Sequence, residues 1–130
     1  MARHISIRTT ALIALVAAAA LAATLLLARG PEADAASGKT LHITADKSRL
    51  KFNRTTLHVH HGKVTILMAN PSSIPHGVGI KGHGKDRDGK TVTKGGTSRV
   101  TLTLKKGTYT FYCPVPGHEA AGMKGKLVVS

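Results

Sequence analysis

Cys113, His118 and Met123 stand at five-residue intervals in Tyr112-Cys113-Pro114-Val115-Pro116-Gly117-His118-Glu119-Ala120-Ala121-Gly122-Met123, and Cys113 is the only cysteine of the chain. This loop constrains the fold more than any other feature, because its thiolate, imidazole and thioether act together only if a further ligand reaches the same point. A thiolate and an imidazole alone suit Zn, Cu or Fe. The soft sulfur of a methionine narrows the choice to copper, whose one-electron sites combine one Cys and two His with a weak axial Met. The second histidine is best supplied by His76, in Asn70-Pro71-Ser72-Ser73-Ile74-Pro75-His76-Gly77-Val78. That segment is rich in turn formers and follows a clear strand, so it would present the ring at a sheet end.

The strands announce themselves by alternation at period two. Leu41 and Ile43 flank His42, Leu50 and Phe52 flank Lys51, Leu57 and Val59 flank His58, and Val100, Leu102 and Leu104 alternate with Thr101 and Thr103. Lys63 to Ala69 is apolar on both faces and belongs in the centre of a sheet. Glycines punctuate these runs and no sustained helical period follows the N-terminal segment, which predicts an all-β sandwich. Lys81 to Gly96 reads as a polar, irregular excursion between strands. Side-chain parity turns Tyr109, Phe111 and Cys113 to one face, inward with Phe111, and Tyr112 to the other.

With those residues in view, Gly107-Thr108-Tyr109-Thr110-Phe111-Tyr112-Cys113, running into His118, Gly122-Met123 and Gly125-Lys126-Leu127-Val128-Val129, resembles the cupredoxin family. The strand sequence resembles the plastocyanins, while the spacing Cys-x4-His-x4-Met resembles the longer ligand loop of rusticyanins and sulfocyanins. The resemblance implies a Greek-key β-sandwich, one type I copper per chain held by His76, Cys113, His118 and Met123, and one-electron transfer between redox partners. It also implies a second electron-entry route through Tyr112, to which a surface-strand tyrosine of good β-propensity is the equal alternative. The family commonly places Asn or Ser after the first ligand histidine to brace the two ligand loops, and here Gly77 stands there. The Gly77 amide is a candidate donor to the Cys113 sulfur.

Residues 1–35 read as an export signal. Arg3 and Arg8 precede an uncharged apolar stretch from Ala11 to Ala28, and Ala33-Asp34-Ala35 offers a small-residue cleavage pattern. The alternative is an uncleaved membrane anchor. Either leaves residues 36–130 as one domain on the extracytoplasmic or periplasmic side. A domain of this length gains limited stability from its core alone, and a lone cysteine offers no internal disulfide, so metal ligation both stabilises the domain and protects the thiol.

Residues 36–130 carry sixteen Lys and Arg against Asp46, Asp86, Asp88 and Glu119, a formal charge of +12. Such a field favours acidic partners, here acidic redox proteins, membrane-bound ones included, meeting a monomer. Nucleic acid is excluded as a partner, because the aromatics Phe52, Tyr109, Phe111 and Tyr112 are not interleaved with a basic stripe. His58 and His60 lie about 7 Å apart on one outward face, with His61 beside them and His42 also outward. They could form a surface Cu(II) or Zn site; solvated strand histidines are the preferred reading. An oxidase is excluded because a trinuclear cluster needs several His-x-His units and this chain has one. A Cys-His hydrolase leaves Met123 unexplained and lacks an obvious orienting Asn or Asp. The chain is therefore expected not to be an enzyme. The alternative to an electron carrier is an exported copper chaperone or store.

Overall fold

Each alternating run becomes a strand where its apolar side chains can turn onto a shared core. The computed structural model describes residues 38–130; the export signal or anchor read in residues 1–35 lies outside the described residues. The strands are β1 (Lys39–Thr44), β2 (Thr56–Val59), β3 (Gly62–Ala69), β4 (Gly79–Gly82), β5 (Lys85–Asp88), β6 (Thr97–Leu104), β7 (Gly107–Tyr112) and β8 (Lys124–Val129). They form a Greek-key sandwich of a three-stranded sheet, β1-β3-β6, and a five-stranded sheet, β2-β8-β7-β4-β5. No helix among the described residues is long and apolar enough to cross a membrane.

β3 is central in its sheet, as its two-faced apolar sequence predicts: it pairs parallel with β1 and antiparallel with β6. Val64, Ile66 and Met68 of β3 and Val100 and Leu104 of β6 are buried against Ile80, Phe111, Leu127 and Val129 of the other sheet. Phe111 is the centre of this layer, with the Phe52 ring 5.6 Å away. Gly125 is required beside it, since a Cβ there would collide with the Phe111 ring and stand 2.7 Å from the Thr55 carbonyl. Met68, fully buried, fills the core.

The registers fix two ends. Gly79 faces Tyr112, and Tyr112 faces Lys124, so the start of β4, the end of β7 and the start of β8 share one end. At the other end Gly107 faces Val129, and Val59 faces Val129. The Lys105-Lys106 turn enters β7 at that far end.

The segment Lys81 to Gly96 departs from expectation. Instead of an irregular excursion it contains the end of β4 and all of β5, joined by a turn with His83 at φ 51° and Gly84 at φ 73°. β5 is an edge strand whose four residues are all exposed, so it carries no apolar alternation for a sequence pattern to reveal. Its hairpin is pinned by His83, which hydrogen-bonds the Thr108 carbonyl at 3.1 Å and lies against the Tyr109 ring.

Candidate metal centre

β7 delivers Cys113 and the loop after it delivers His118 and Met123, while the loop between β3 and β4 delivers His76. The inward parity of Tyr109, Phe111 and Cys113 holds: all three are buried. The loop from Cys113 to Met123 is closed by main-chain hydrogen bonds, with the Cys113 amide donating to the Met123 carbonyl and the Met123 amide to the His118 carbonyl, both at 3.0 Å. Gly117 at φ 83° and Gly122 at φ 103° occupy left-handed positions that let this loop turn.

The His76 loop is held differently. Asn70, 1% exposed, donates from Nδ2 to the carbonyls of Ile74 and Val92, both at 2.9 Å, and its Oδ1 accepts from the Ser72 amide. His76 and Val92 exchange main-chain hydrogen bonds in both directions. Ser98 Oγ accepts from the Val78 amide at 3.1 Å. The bracing that the family commonly assigns to the residue after the first histidine is thus distributed over Asn70 and Ser98. Gly77 contributes by smallness, because a Cβ there would press on the Pro114 ring at 3.1 Å. Its amide reaches the Cys113 sulfur at 3.5 Å, as the sequence suggested. Sequence reasoning did not single out Asn70 or Ser98; the Asn-Pro pair reads only as a turn.

His76 Nδ1 lies 3.2 Å from His118 Nδ1, and Cys113 Sγ lies 3.9 Å from the first and 3.5 Å from the second. A triangle with sides of 3.2, 3.5 and 3.9 Å has all three corners about 2.1 Å from one central point, the length of a metal–imidazole bond. Two lone-pair nitrogens and a sulfur facing each other across so small a gap fit a metal ion. His76 is wholly buried, and its Nε2 has no protein partner. Burial first, and the His118 ring second, hold the His76 imidazole below its usual pKa, which favours the neutral form a metal requires. Met123 is fully buried at the same end, and His118 is partly exposed. Among the described residues, no other group of three His, Cys or carboxylate side chains converges in this way.

The remaining histidines separate from this centre. His60 Nδ1 contacts Ser130 Oγ and His61 Nδ1 contacts the Ser130 carbonyl, each at 3.0 Å. Both lie at the far end, while His58 and His42 are exposed on their strands. Tyr112 does point away from the core, yet it is only 7% exposed. Its hydroxyl sits 2.5 Å from Asp86 Oδ1 and 2.6 Å from Asp88 Oδ1. Burial, reinforced by both carboxylates, pushes its pKa far up. Glu119 is paired with Lys81 at 2.7 Å.

A two-sheet Greek-key sandwich that gathers two imidazoles and a buried thiol at one end defines a blue copper protein with one type I copper. A family model of copper-binding proteins, the plastocyanin/azurin family, matches residues 39–130, and the chain belongs to that family. Rusticyanin of Acidithiobacillus ferrooxidans is 31% identical over 101 residues, which cover 78% of this chain and 61% of rusticyanin. The chain therefore spans about three fifths of that relative's length. Among solved structures, dithionite-reduced auracyanin from Roseiflexus castenholzii is 25% identical at a TM-score of 0.64, covering 71% of this chain and 97% of the auracyanin. Auracyanin A, a "blue" copper protein of Chloroflexus aurantiacus, is 27% identical at a TM-score of 0.62, covering 72% and 99% of the two chains.

Proposed function

We propose that His76, Cys113, His118 and Met123 together hold one copper ion and that the protein carries single electrons between redox proteins outside the cytoplasm. The observation that carries this reading is the triangle of Nδ1, Nδ1 and Sγ, whose size suits one metal ion. Copper, when bound, supplies the one-electron change between Cu(II) and Cu(I). The chain's own part is to hold a single ligand geometry through that change. Asn70 and Ser98 fix the His76 loop, Pro114 packs on Gly77, and the Gly77 amide donates to the sulfur, a contact of the kind that tunes a metal site. Met123 is assigned the weak axial position.

His118 is the ligand nearest solvent and so the port for electrons. Pro114, Val115, Pro116, Ala120 and Ala121 give its rim little charge, and the one acidic neighbour, Glu119, is neutralised by Lys81. Ile74, the large exposed hydrophobic of the described residues, lies in the other ligand loop at this end. A small apolar rim suits redox encounters that bury less than about 1,200 Å² and release quickly. The +12 charge of residues 36–130 favours acidic partners, and Arg3, Arg8 and the apolar run after them support export. The buried thiol and the rigid His76 loop favour a carrier over a chaperone or store, which must expose its metal to give it away.

The test is the visible absorption spectrum of the purified protein with Cu(II). An intense band from Cys113 charge transfer, bleached reversibly by reductant, is the expected result. A colourless Cu(II) complex rejects the site.

A further inference from the structure

Lys81 touches the neighbours of two ligands at once. From the middle of β4 its ammonium lies 2.7 Å from Glu119 Oε1 and 2.8 Å from Oε2. It also stands 4.6 Å above the centre of the Tyr112 ring. Glu119 follows His118 and Tyr112 precedes Cys113. The pair is partly shielded, with the two side chains 38% and 30% exposed, and Tyr112 is itself fixed by Asp86 and Asp88 on β5.

We propose that Lys81 is a positioning residue for the copper site, a clasp that ties the His118 segment to the five-stranded sheet through Glu119. The need for one follows from the contrast between the ligand segments. The His76 loop is held by buried side-chain hydrogen bonds from Asn70 and Ser98, whereas residues 114–122 are bonded mainly to themselves. Glu119 is the side chain by which that segment reaches a strand outside its own loop. Glu119 is also one residue from the ligand with most freedom, the partly exposed His118. An electron carrier gains rate by keeping its ligands still between oxidation states, so the clasp acts on electron exchange.

Lys81→Met and Glu119→Gln test this, alone and together, with Lys81→Arg as the conservative variant. The inference rests on the copper reading above, and wild-type protein separates the two: a wild type without the blue band fails that reading, before any variant is made. Given a blue wild type, both single variants should slow electron self-exchange several-fold and alter the copper hyperfine splitting in the same sense. The double variant should be no worse than either single one, and Lys81→Arg should restore most of the loss. In copper-free protein, Lys81→Met should raise amide exchange at Ala121 and Gly122 while β3 amides stay protected. A mere change of local charge predicts otherwise: losing a cation and losing an anion would move the reduction potential in opposite directions and cancel in the double variant. Effects on self-exchange and hyperfine splitting that are likewise opposite in the single variants and cancel in the double one, or variants with unchanged self-exchange and loop protection, would overturn the clasp.

Discussion

The two ends of the sandwich both carry histidines, yet only one end makes a site. At the near end His76 and His118 approach to 3.2 Å with the Cys113 sulfur completing a triangle, His76 and Cys113 buried and only His118 partly exposed, and the ligands arrive from two loops. At the far end His60 and His61 each find a partner in Ser130 and otherwise face solvent. Residue type is common to both. What differs is convergence: at the near end the β3–β4 loop and the β7–β8 loop bring their ligands together, whereas the far-end histidines follow one another along a single edge strand and its exit.

The sharpest break of this contrast is Cys113→Ser, which should abolish the blue colour entirely while circular dichroism reports an intact sandwich, since Ser is close in size and no disulfide is lost. Replacing His58, His60 and His61 together by Gln should leave the colour and one copper per chain, measured by absorbance and metal analysis. Loss of colour there would erase the distinction between the ends. Next in size is Asn70→Ala. It strips a buried donor from the carbonyls of Ile74 and Val92 and should cost about 1–3 kcal/mol in denaturant unfolding.

Acid should expose the near end in copper-free protein. His76 is held below the usual imidazole range by burial and by His118, so below pH of about 6.5 the unfolded chain takes up a proton that the folded chain refuses. Stability present above that pH should therefore fall as acid is added, until the folded-state pKa is reached, and thermal melts across the range would show it. A melt indifferent to pH would mean that burial does not hold the His76 ring neutral.

Met123→Leu is a subtler probe: colour and copper should remain while voltammetry shows a higher reduction potential, because loss of the thioether disfavours Cu(II) more than three-coordinate Cu(I). Copper loss or an unchanged potential would remove Met123 from the axial position. The smallest expected effect concerns the surface. Association with an acidic redox partner should slow as salt rises, with screening over about 8 Å at physiological ionic strength. Charge reversal at Lys124 and Lys126, on β8 as it leaves the near end, should mimic salt more strongly than reversal at Lys105 and Lys106 in the far-end turn. Stopped-flow rates that respond equally to both pairs would make the charge a property of the whole surface.

Much of this was legible in the residues themselves. The ligand spacing showed the chemistry because Cys, His and Met differ sharply in softness, and parity alone turned Cys113 inward. β3 was legible because an apolar run on both faces belongs between two strands. β5 was not, since Lys85 to Asp88 is wholly polar and owes its conformation to backbone pairing with β4. Nor was the shielding of Tyr112: parity gives its direction, but the carboxylates that cover it arrive on a strand the pattern does not show. Asn70 and the Lys81–Glu119 pair escaped for another reason. Their partners lie as many as 22 and 38 positions away, and a single sequence does not say which distant polar groups will meet.

The parallel pairing of β2 with β8 couples an edge strand to the ligand loop that runs into β8. β2 has β8 as its sole neighbour in the sheet, and Leu127 and Val129 of β8 complete the core. A chain still lacking β8 would leave β2 without a partner and Met123 without the strand that follows it. Loosening β8 would therefore release β2 and slacken the Cys113–Met123 loop in one movement, because the same strand holds both.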